Sequence, residues 1–311
     1  MTALTELRRC PVDLHLHTRR SDGDDEPEQV AAACVAAGVR IAAVADHDTM
    51  GGVAGFRAAA GEECEVLAGC EITASWRGAE VHCLGLLVAE GDALFNARLA
   101  RVRDGEQGWW REWTHRAQRI GVPLEWAEVE RQLGAGRVAY SGDYVQMFLA
   151  AAGDDLRFRQ YGDDAERELV EHWCKPGQPL HLPEPWRPEL TEAIAWIIQA
   201  GGVPVLAHPA RLLAGLGQAA PIELQRMRDA GLAGLEVWTT WHTPEESVHL
   251  AGLCEELDLV ATLGSDYHGT RLKPWAPGPG LLPALPPDPV ALVDTLRGRA
   301  GGATSGGVPR S

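Results

Sequence analysis

Residues 13–23 read D-L-H-L-H-T-R-R-S-D-G, in which an apolar segment ends with histidine and aspartate side chains. Residues 11–17 are typical of a buried strand, on which residues two apart face the same way. His15 and His17 therefore project together, and the neighbouring leucines face the other side. Asp22 follows in the next loop. The stretch predicts a strand that ends at a metal site.

Strand-like and helix-like segments alternate along much of the chain. The predicted strands cover residues 11–17, 39–46, 66–71, 79–88, 203–208, 234–238 and 259–265. The predicted helices cover residues 27–37, 50–60, 188–200, 221–230 and 244–257. Such alternation predicts an α/β fold in which helices cover a parallel sheet.

The middle of the chain has a different pattern. Residues 91–188 show no comparable strands, and we predict a helical insertion or cap there. The insertion separates a first barrel part, residues 1–90, from a second part, residues 189–298, and residues 299–311 are predicted to form a disordered tail. Its tryptophans either form the core of the insertion or stack on a base; they are Trp109, Trp110, Trp113 and Trp126.

Most of the predicted strands end in, or just before, a metal-binding side chain. After the first strand these are His47 in A-D-H-D, Glu71 in G-C-E, His82 in E-V-H, His208 in A-H-P, and Asp266 and His268 in G-S-D-Y-H. Strand ends meet at one rim of a parallel barrel. Each motif alone is compatible with a capped turn or an ordinary strand end. Their joint occurrence indicates two or three divalent ions, for which imidazole and carboxylate suit zinc, manganese or iron.

Charge and composition limit the partners. The chain has 311 residues and a formal net charge of −16, which disfavours binding to long nucleic acid. No apolar run approaches the roughly 18 residues of a membrane span, and the N-terminus lacks the apolar core of a secretory signal. We therefore expect a cytoplasmic protein without a membrane partner. The seven cysteines include no C-x-x-C pair and are expected to be reduced thiols.

The ordered set of motifs resembles the PHP family, named for polymerase and histidinol phosphatase domains. The resemblance runs from Asp13 to Gly269 and implies a distorted β/α barrel of seven strands. The stretches A-G-G-V-P-V-L-A-H-P-A-R, residues 200–211, and G-L-E-V-W, residues 234–238, are similar to a stand-alone branch with a helical insertion. That branch includes phosphatases of nucleoside 3′,5′-bisphosphates and enzymes that trim short RNA from the 5′ end.

The resemblance also implies how the ligands are shared among three ions. The first ion would be held by His15, His17, Glu71 and Asp266, the second by Glu71, His82 and His208, and the third by Asp22, His47 and His268. Among these, Glu71, His208 and Asp266 are the predicted catalytic residues. Relatives carry R-P-H in the insertion, whereas residues 136–144 here read G-R-V-A-Y-S-G-D-Y. Arg137 remains as a predicted catalytic phosphate clamp, but the histidine is missing.

The leading hypothesis is hydrolysis of a phosphate monoester of a small metabolite or nucleotide. A hydroxide that bridges two metals would attack phosphorus, since a metal lowers the pKa of water from about 15.7 to about 7. Trimming of short RNA, hydrolysis of a C–N bond, and metal binding without turnover remain alternatives. The expected partner is a small phosphorylated substrate, and the oligomeric state stays open.

Several further side chains have candidate roles near this site. Asp13 and Glu236 are candidates to orient a metal ligand. Trp238, Trp241 and His242 follow a strand end and are candidates to line the pocket.

Overall fold

The chain divides into two compact units. The computed structural model describes residues 6–134, 137–138, 141–159, 165–271 and 273–302. Unit 1 consists of Met1–Ala100 and Arg187–Ser311, and unit 2 of Arg101–Trp186. Unit 2 lies inside the segment that the sequence predicts as a helical insertion.

Unit 1 contains all the strands of the described residues. They are β1 (Arg8–Arg9), β2 (Val12–Leu16), β3 (Ile41–Val44), β4 (Glu65–Trp76), β5 (Ala79–Leu86), β6 (Val203–Leu206), β7 (Gly234–Thr239), β8 (Val260–Gly264) and β9 (Leu281–Leu282). Strands β2 to β8 form one seven-stranded sheet in sequence order, and β1 pairs with β9 in a separate small sheet. Strands that follow one another in the sequence are therefore neighbours in this sheet, as they are in a β/α barrel.

The two edges of the large sheet come together, so that the barrel is nearly closed. The N–H of His17, just after β2, donates to the carbonyl of Tyr267 at 2.9 Å. The N–H of Asp266 donates to the carbonyl of His15, also at 2.9 Å. This closure brings the D-L-H-L-H and G-S-D-Y-H motifs side by side.

The prediction that all strands run parallel is wrong for β5, which is antiparallel to both β4 and β6. Strand β4 continues past Glu71 to Trp76, which pairs with Ala79. The two residues between them, Arg77 and Gly78, have φ of 52° and 79°. Two positive φ values are typical of a type I′ hairpin turn, and a two-residue loop can join only antiparallel strands. Consequently His82 and Glu71 lie within strands and not at their ends.

Helices lie between the strands of unit 1 and make up most of unit 2. They are α1 (Pro27–Ala37), α2 (Val53–Ala60), α3 (Ala93–Arg119), α4 (Trp126–Leu133), α5 (Ser141–Ala152), α6 (Ala165–Leu169), α7 (Leu190–Gln199), α8 (Ala210–Leu216), α9 (Ala220–Asp229), α10 (Pro244–Leu257) and α11 (Pro289–Gly302). A π-helical turn, Val170–Cys174, follows α6. The bounds of α1 and α10 agree with the sequence prediction, because proline and a capping box mark both starts.

Each unit has its own apolar core. In unit 1, aliphatic side chains of the strands pack with Val293 and Leu296 of α11. In unit 2 the core is aromatic and centres on Trp113, Tyr144 and Phe148. Trp110 stacks on Tyr144 with ring centroids 3.9 Å apart. These contacts favour the core role of the insertion tryptophans over base stacking.

The C-terminal helix continues into the predicted tail. Helix α11 extends to Gly302, so the first residues of the predicted disordered tail are helical. The rest of that predicted tail, residues 303–311, lies outside the described residues. Within the described part of the chain, no helix combines the length and apolar character needed to cross a membrane. A cytoplasmic location stays a prediction.

Candidate metal centre

The barrel closure places the two histidine–aspartate motifs in contact. His15 and His17 are fully buried, and Asp266 is 1% exposed. Asp266 Oδ1 lies 3.3 Å from His15 Nε2 and 3.2 Å from His17 Nε2. The rings of His17 and His268 stack with centroids 3.8 Å apart. Four predicted ligands, from opposite ends of unit 1, therefore share one buried site.

Glu71 lies at the centre of the cluster, and its two oxygens face different histidines. Its Oε2 is 3.0 Å from His15 Nε2, 3.1 Å from His17 Nε2 and 3.4 Å from His47 Nε2. Its Oε1 is 3.2 Å from His82 Nδ1 and 3.3 Å from His208 Nε2. His82 reaches Glu71 diagonally across the antiparallel β4–β5 pair, in which it faces Thr73. A carboxylate placed in this way can bridge two ions.

Three overlapping sets of side chains have ligand atoms within 4.8 Å of one another. They are His15, His17, Glu71 and Asp266; His17, Asp22, His47 and His268; and His47, Glu71 and His82. The first set has the members predicted for the first ion. The second contains the three predicted for the third ion and adds His17, while the third differs from the prediction by containing His47 in place of His208. The allocation of ligands to ions stays a prediction.

Seven of the possible metal-ligand atoms in this cluster are buried without a hydrogen-bond partner among the described residues. They are His17 Nδ1 and Nε2, His47 Nδ1, Glu71 Oε1, His82 Nδ1, Asp266 Oδ1 and His268 Nε2. A buried polar atom without a partner costs free energy, so proteins rarely collect several in one place. Bound cations would satisfy these atoms, apart from the one His17 nitrogen that keeps its proton. The donor set therefore fits divalent metal ions.

The carboxylates and histidines of the cluster shift one another's pKa values. Burial raises the pKa of Glu71, but the nearby histidines, His15 first, outweigh burial and hold the pKa well below its usual range. Burial lowers the pKa of His17, but contacts with Asp22, Asp266 and Glu71 raise it to about 10. The pKa values of Asp22 and Asp266 are also held well below their usual range, with histidines among the causes, so that the three predicted carboxylate ligands share one charge environment. A divalent ion can replace the positive charge of these histidines.

Backbone strain occurs at two of the predicted ligands. Asp266 and His208 have φ of 55° and 29°, in the left-handed region that residues other than glycine rarely adopt. Strain of this kind costs on the order of 1–3 kcal/mol and concentrates at functional sites.

Glu236 of β7 joins two predicted ligands. Its Oε1 lies 2.9 Å from His15 Nδ1, and its Oε2 accepts the backbone N–H of His208 at 2.8 Å. Since Nδ1 of His15 faces Glu236, its Nε2 is left for the cluster. A carboxylate behind a histidine ligand commonly fixes the tautomer and orientation of the ring. The structure thus gives Glu236 the positioning geometry that the sequence left open.

Asp13 and Asp46 hold the loops that carry ligands. Asp13 accepts the N–H and Oγ–H of Ser265, at 2.9 and 2.7 Å, and the N–H of Gly280 at 2.7 Å. It therefore fixes the backbone before Asp266 instead of orienting a ligand ring. Asp46 accepts the N–H and Oγ–H of Thr18 and the Oγ–H of Ser21, each at 2.7 Å. The loop that leads to Asp22 is anchored in this way.

Lysine and tryptophan donors contact Asp266 from outside the cluster. Lys273 Nζ lies 2.7 Å from Asp266 Oδ2, and Trp241 Nε1 donates to the same oxygen at 2.5 Å. The other oxygen, Oδ1, is left facing the histidines. Sequence reasoning missed Lys273, because no motif links it to the aspartate.

Other candidate residues have different places. Trp238 packs against the core of unit 1, and His242 is buried with Nδ1 2.9 Å from the carbonyl of Val237. His242 is therefore not exposed to a pocket, whereas Trp238 is partly exposed and its place in a pocket wall stays a prediction. Arg137 lies in unit 2, half-buried, and its carbonyl accepts a hydrogen bond from Gln107 at 3.4 Å. Its role as a phosphate clamp stays a prediction, and Ala139 of the altered R-P-H stretch lies outside the described residues.

The chain is similar to several proteins of known family. The PHP domain is recognised over residues 13–129. A 3′,5′-nucleoside bisphosphate phosphatase of Chromobacterium violaceum is 30% identical over 280 residues, 86% of this chain and 88% of that protein. A phosphoribosyl 1,2-cyclic phosphate 1,2-diphosphodiesterase of Eggerthella lenta is 34% identical over 266 residues, 83% of this chain and 94% of that protein. A 5′-3′ exoribonuclease of Escherichia coli is 29% identical over 271 residues, which are 85% of this chain and 86% of that protein.

Solved structures extend the similarity to the whole chain. A candidate metal-dependent phosphoesterase of Bifidobacterium adolescentis has a TM-score of 0.72 and 27% identity, covering 93% of this chain and 96% of that one. An amidohydrolase of Chromobacterium violaceum, solved with bound sulfate and no metal, has a TM-score of 0.69 and 25% identity, covering 93% and 97%. The ordered motifs, the nearly closed seven-stranded barrel and these similarities show that the chain belongs to the PHP-domain family of metal-dependent phosphoesterases.

Proposed function

We propose that the enzyme hydrolyses a phosphate monoester of a small nucleotide or metabolite, with a nucleoside 3′,5′-bisphosphate as the first candidate substrate. The observation that carries the proposal is the cluster of buried donor atoms without partners around Glu71. The similarity to the bisphosphate phosphatase, over 86% of this chain, supports the choice of substrate class.

The proposed ligands are the nine residues predicted from the sequence, and the proposed number of ions is two or three. Glu71 would bridge, because its Oε2 faces His15 and its Oε1 faces His82. Manganese, iron and zinc all suit imidazole and carboxylate ligands. Divalent ions bound there supply Lewis acidity, which acidifies water and neutralises charge on a phosphoryl group.

Local charge explains how an acidic protein would attract a phosphate. Three carboxylates, Asp22, Glu71 and Asp266, bring a charge of −3 to the cluster. Two divalent ions would leave a net charge of about +1, and three would leave about +3. The formal charge of the whole chain is −16, so attraction must be confined to this centre. We therefore expect small anions to bind and long polyanions to be repelled.

The chain itself would position the reacting groups. Glu236 holds the ring of His15 and the backbone of His208, and Lys273 with Trp241 restricts Asp266 to one free oxygen. Arg137 stays the proposed phosphate clamp, because a planar guanidinium can pair with phosphate through two hydrogen bonds. The absence of the R-P-H histidine from this chain would then change substrate binding and not metal binding.

A phosphodiesterase is the second candidate function. The similarity to the exoribonuclease of Escherichia coli, 29% over 85% of this chain, specifically favours it. The two functions differ in their products, because a monoesterase releases inorganic phosphate and an exonuclease releases mononucleotides. Short 5′-phosphorylated RNA and adenosine 3′,5′-bisphosphate therefore distinguish them in parallel assays.

The test combines a metal count with an activity screen. Wild-type protein, His208→Ala and His249→Ala would be produced in manganese-supplemented medium, since His249 is an exposed histidine of α10 outside the cluster. Each protein would be assayed on adenosine 3′,5′-bisphosphate, nucleoside monophosphates, sugar phosphates, histidinol phosphate and short RNA. We expect two or three metals in wild type and in His249→Ala, with phosphate release that His208→Ala loses. A metal-loaded wild type that cleaves none of these compounds would contradict the proposal and make C–N hydrolysis the next test.

A further inference from the structure

Two tryptophans of unit 1 are exposed beside the metal centre and touch each other. Trp241 is 42% exposed and Trp275 is 46% exposed. Their ring centroids lie 5.5 Å apart with an angle of 73° between the planes. Exposed indoles in contact leave a large apolar area in water, which is unfavourable unless a ligand covers it. We name this pair the indole edge.

The indole edge is joined directly to the predicted ligands. Trp241 Nε1 donates to Asp266 Oδ2 at 2.5 Å, and the Trp241 ring lies 5.7 Å from the ring of His208. A molecule that reached His208 with a phosphate would therefore have an indole as its next neighbour. The apolar area belongs to the rim of the site and not to a separate surface.

The position of Trp241 is fixed from a second side. Lys273 is only 8% exposed, and its Nζ lies 2.7 Å from Asp266 Oδ2 and 5.3 Å from the centroid of the Trp241 ring. The hydrogen bond and the cation together hold the indole in one orientation. A fixed aromatic surface binds a flat ligand with little loss of conformational entropy.

We propose that Trp241 and Trp275 bind the base of a nucleotide substrate while its phosphate lies at the metal centre. This inference rests on the proposed function and adds the residues that select the substrate. A charged centre beside a fixed aromatic edge matches a ligand with one anionic and one flat apolar group, which a nucleotide has and a sugar phosphate lacks. Stacking accepts any base, because every base has a π-face. The preference is therefore for nucleotides as a class.

Trp275 gives the cleaner test, because Trp241 also contacts Asp266. Manganese-loaded wild type, Trp275→Leu and Trp275→Phe would be compared with Val290→Ala, which changes an exposed apolar residue of α11. For each protein, affinities for adenosine 5′-monophosphate and ribose 5-phosphate would be measured by isothermal titration, and KM and kcat on adenosine 3′,5′-bisphosphate by phosphate release. Adenosine 5′-monophosphate carries a base at the position where ribose 5-phosphate carries a hydroxyl group.

The proposal predicts a loss that depends on the base. Trp275→Leu should weaken binding of the monophosphate about 5- to 150-fold, the range expected for one stacked base, and leave ribose 5-phosphate within about twofold. Trp275→Phe should keep most of the affinity, and the KM for the bisphosphate should rise with little change in kcat. Equal affinities of wild type and Trp275→Leu for the monophosphate, or equal losses for both compounds, would overturn the inference. Failure of every protein to release phosphate would instead contradict the proposed function, and the binding data would still decide on the indole edge.

Discussion

Glu71 is the residue on which the candidate centre depends most. Its two oxygens face separate groups of histidines and lie within 3.4 Å of nitrogens of five of them. The motif G-C-E pointed to this residue, because the sequence predicts a buried strand that ends there. The number of its histidine neighbours could not be predicted, since the five histidines come from four different segments of the chain.

Substitution of Glu71 should remove metal and activity together. Glu71→Gln keeps the shape of the side chain but loses the charge that a bridging ligand needs. We expect fewer bound metals and a fall in kcat/KM of more than about 100-fold, the upper range for residues that only support a ligand. Metal analysis and phosphate release on the same sample check this result. A glutamine variant with full metal content and full activity would exclude a bridging role.

Glu236 acts through His15 and His208, so its substitution should have a milder effect. Glu236→Gln leaves a hydrogen-bonding group of the same size but no charge behind His15 Nδ1. We expect manganese affinity and kcat/KM to fall about 10- to 100-fold while the fold is retained. Metal titration of the apo-protein measures the affinity. Glu245→Gln, at an exposed position of α10, serves as the control. Unchanged metal affinity in Glu236→Gln would show that the residue is structural only.

At the scale of elements, the strand before the G-S-D-Y-H motif must approach β2 closely. A Cβ added to Gly264 would lie 2.2 Å from the Cβ and 2.7 Å from the backbone nitrogen of His15. The neighbour here is backbone and cannot rotate away. Glycine at this position is therefore needed for the closure that brings Asp266 to His15.

Alanine at Gly264 should damage stability and the metal centre together. We expect Gly264→Ala to cost about 1–3 kcal/mol of unfolding free energy and to lower metal content, because His15 must move. Gly252→Ala in α10 is the matched control, since nothing lies within 4 Å of its added Cβ and alanine favours a helix by roughly 0.5–1 kcal/mol. Urea unfolding of both variants checks the contrast. Equal stability of Gly264→Ala and wild type would contradict the proposed closure.

Local sequence signals predicted some elements better than others. The starts of α1 and α10 were predictable, because proline and a capping box act within one turn of helix. The direction of β5 was missed, because its apolar pattern is the same in either direction and the Arg77–Gly78 turn carries the only signal. The positioning role of Glu236 was left open for a related reason, since its partner His15 is 221 residues away in the chain.

At the scale of the whole molecule, folding and metal binding should be linked. Several buried atoms of the cluster have no hydrogen-bond partner among the described residues, so bound ions should stabilise the folded state over the unfolded chain. We expect a chelator to lower the Tm of the manganese-loaded protein and added manganese to restore it. Differential scanning calorimetry measures the shift, and Glu71→Gln should show a smaller one. A Tm that does not respond to the chelator would contradict this linkage.

Anomalous X-ray diffraction of manganese-loaded crystals, measured at the manganese edge, would locate divalent ions among the nine predicted ligands. We expect at least two peaks, one beside Glu71 Oε2 with His15, His17 and Asp266, and one beside Glu71 Oε1 with His82 and His208. A third peak beside Asp22, His47 and His268 would complete the predicted set. Crystals of fully loaded protein with no anomalous peak at coordination distance from Glu71 would show that these residues do not form the metal centre.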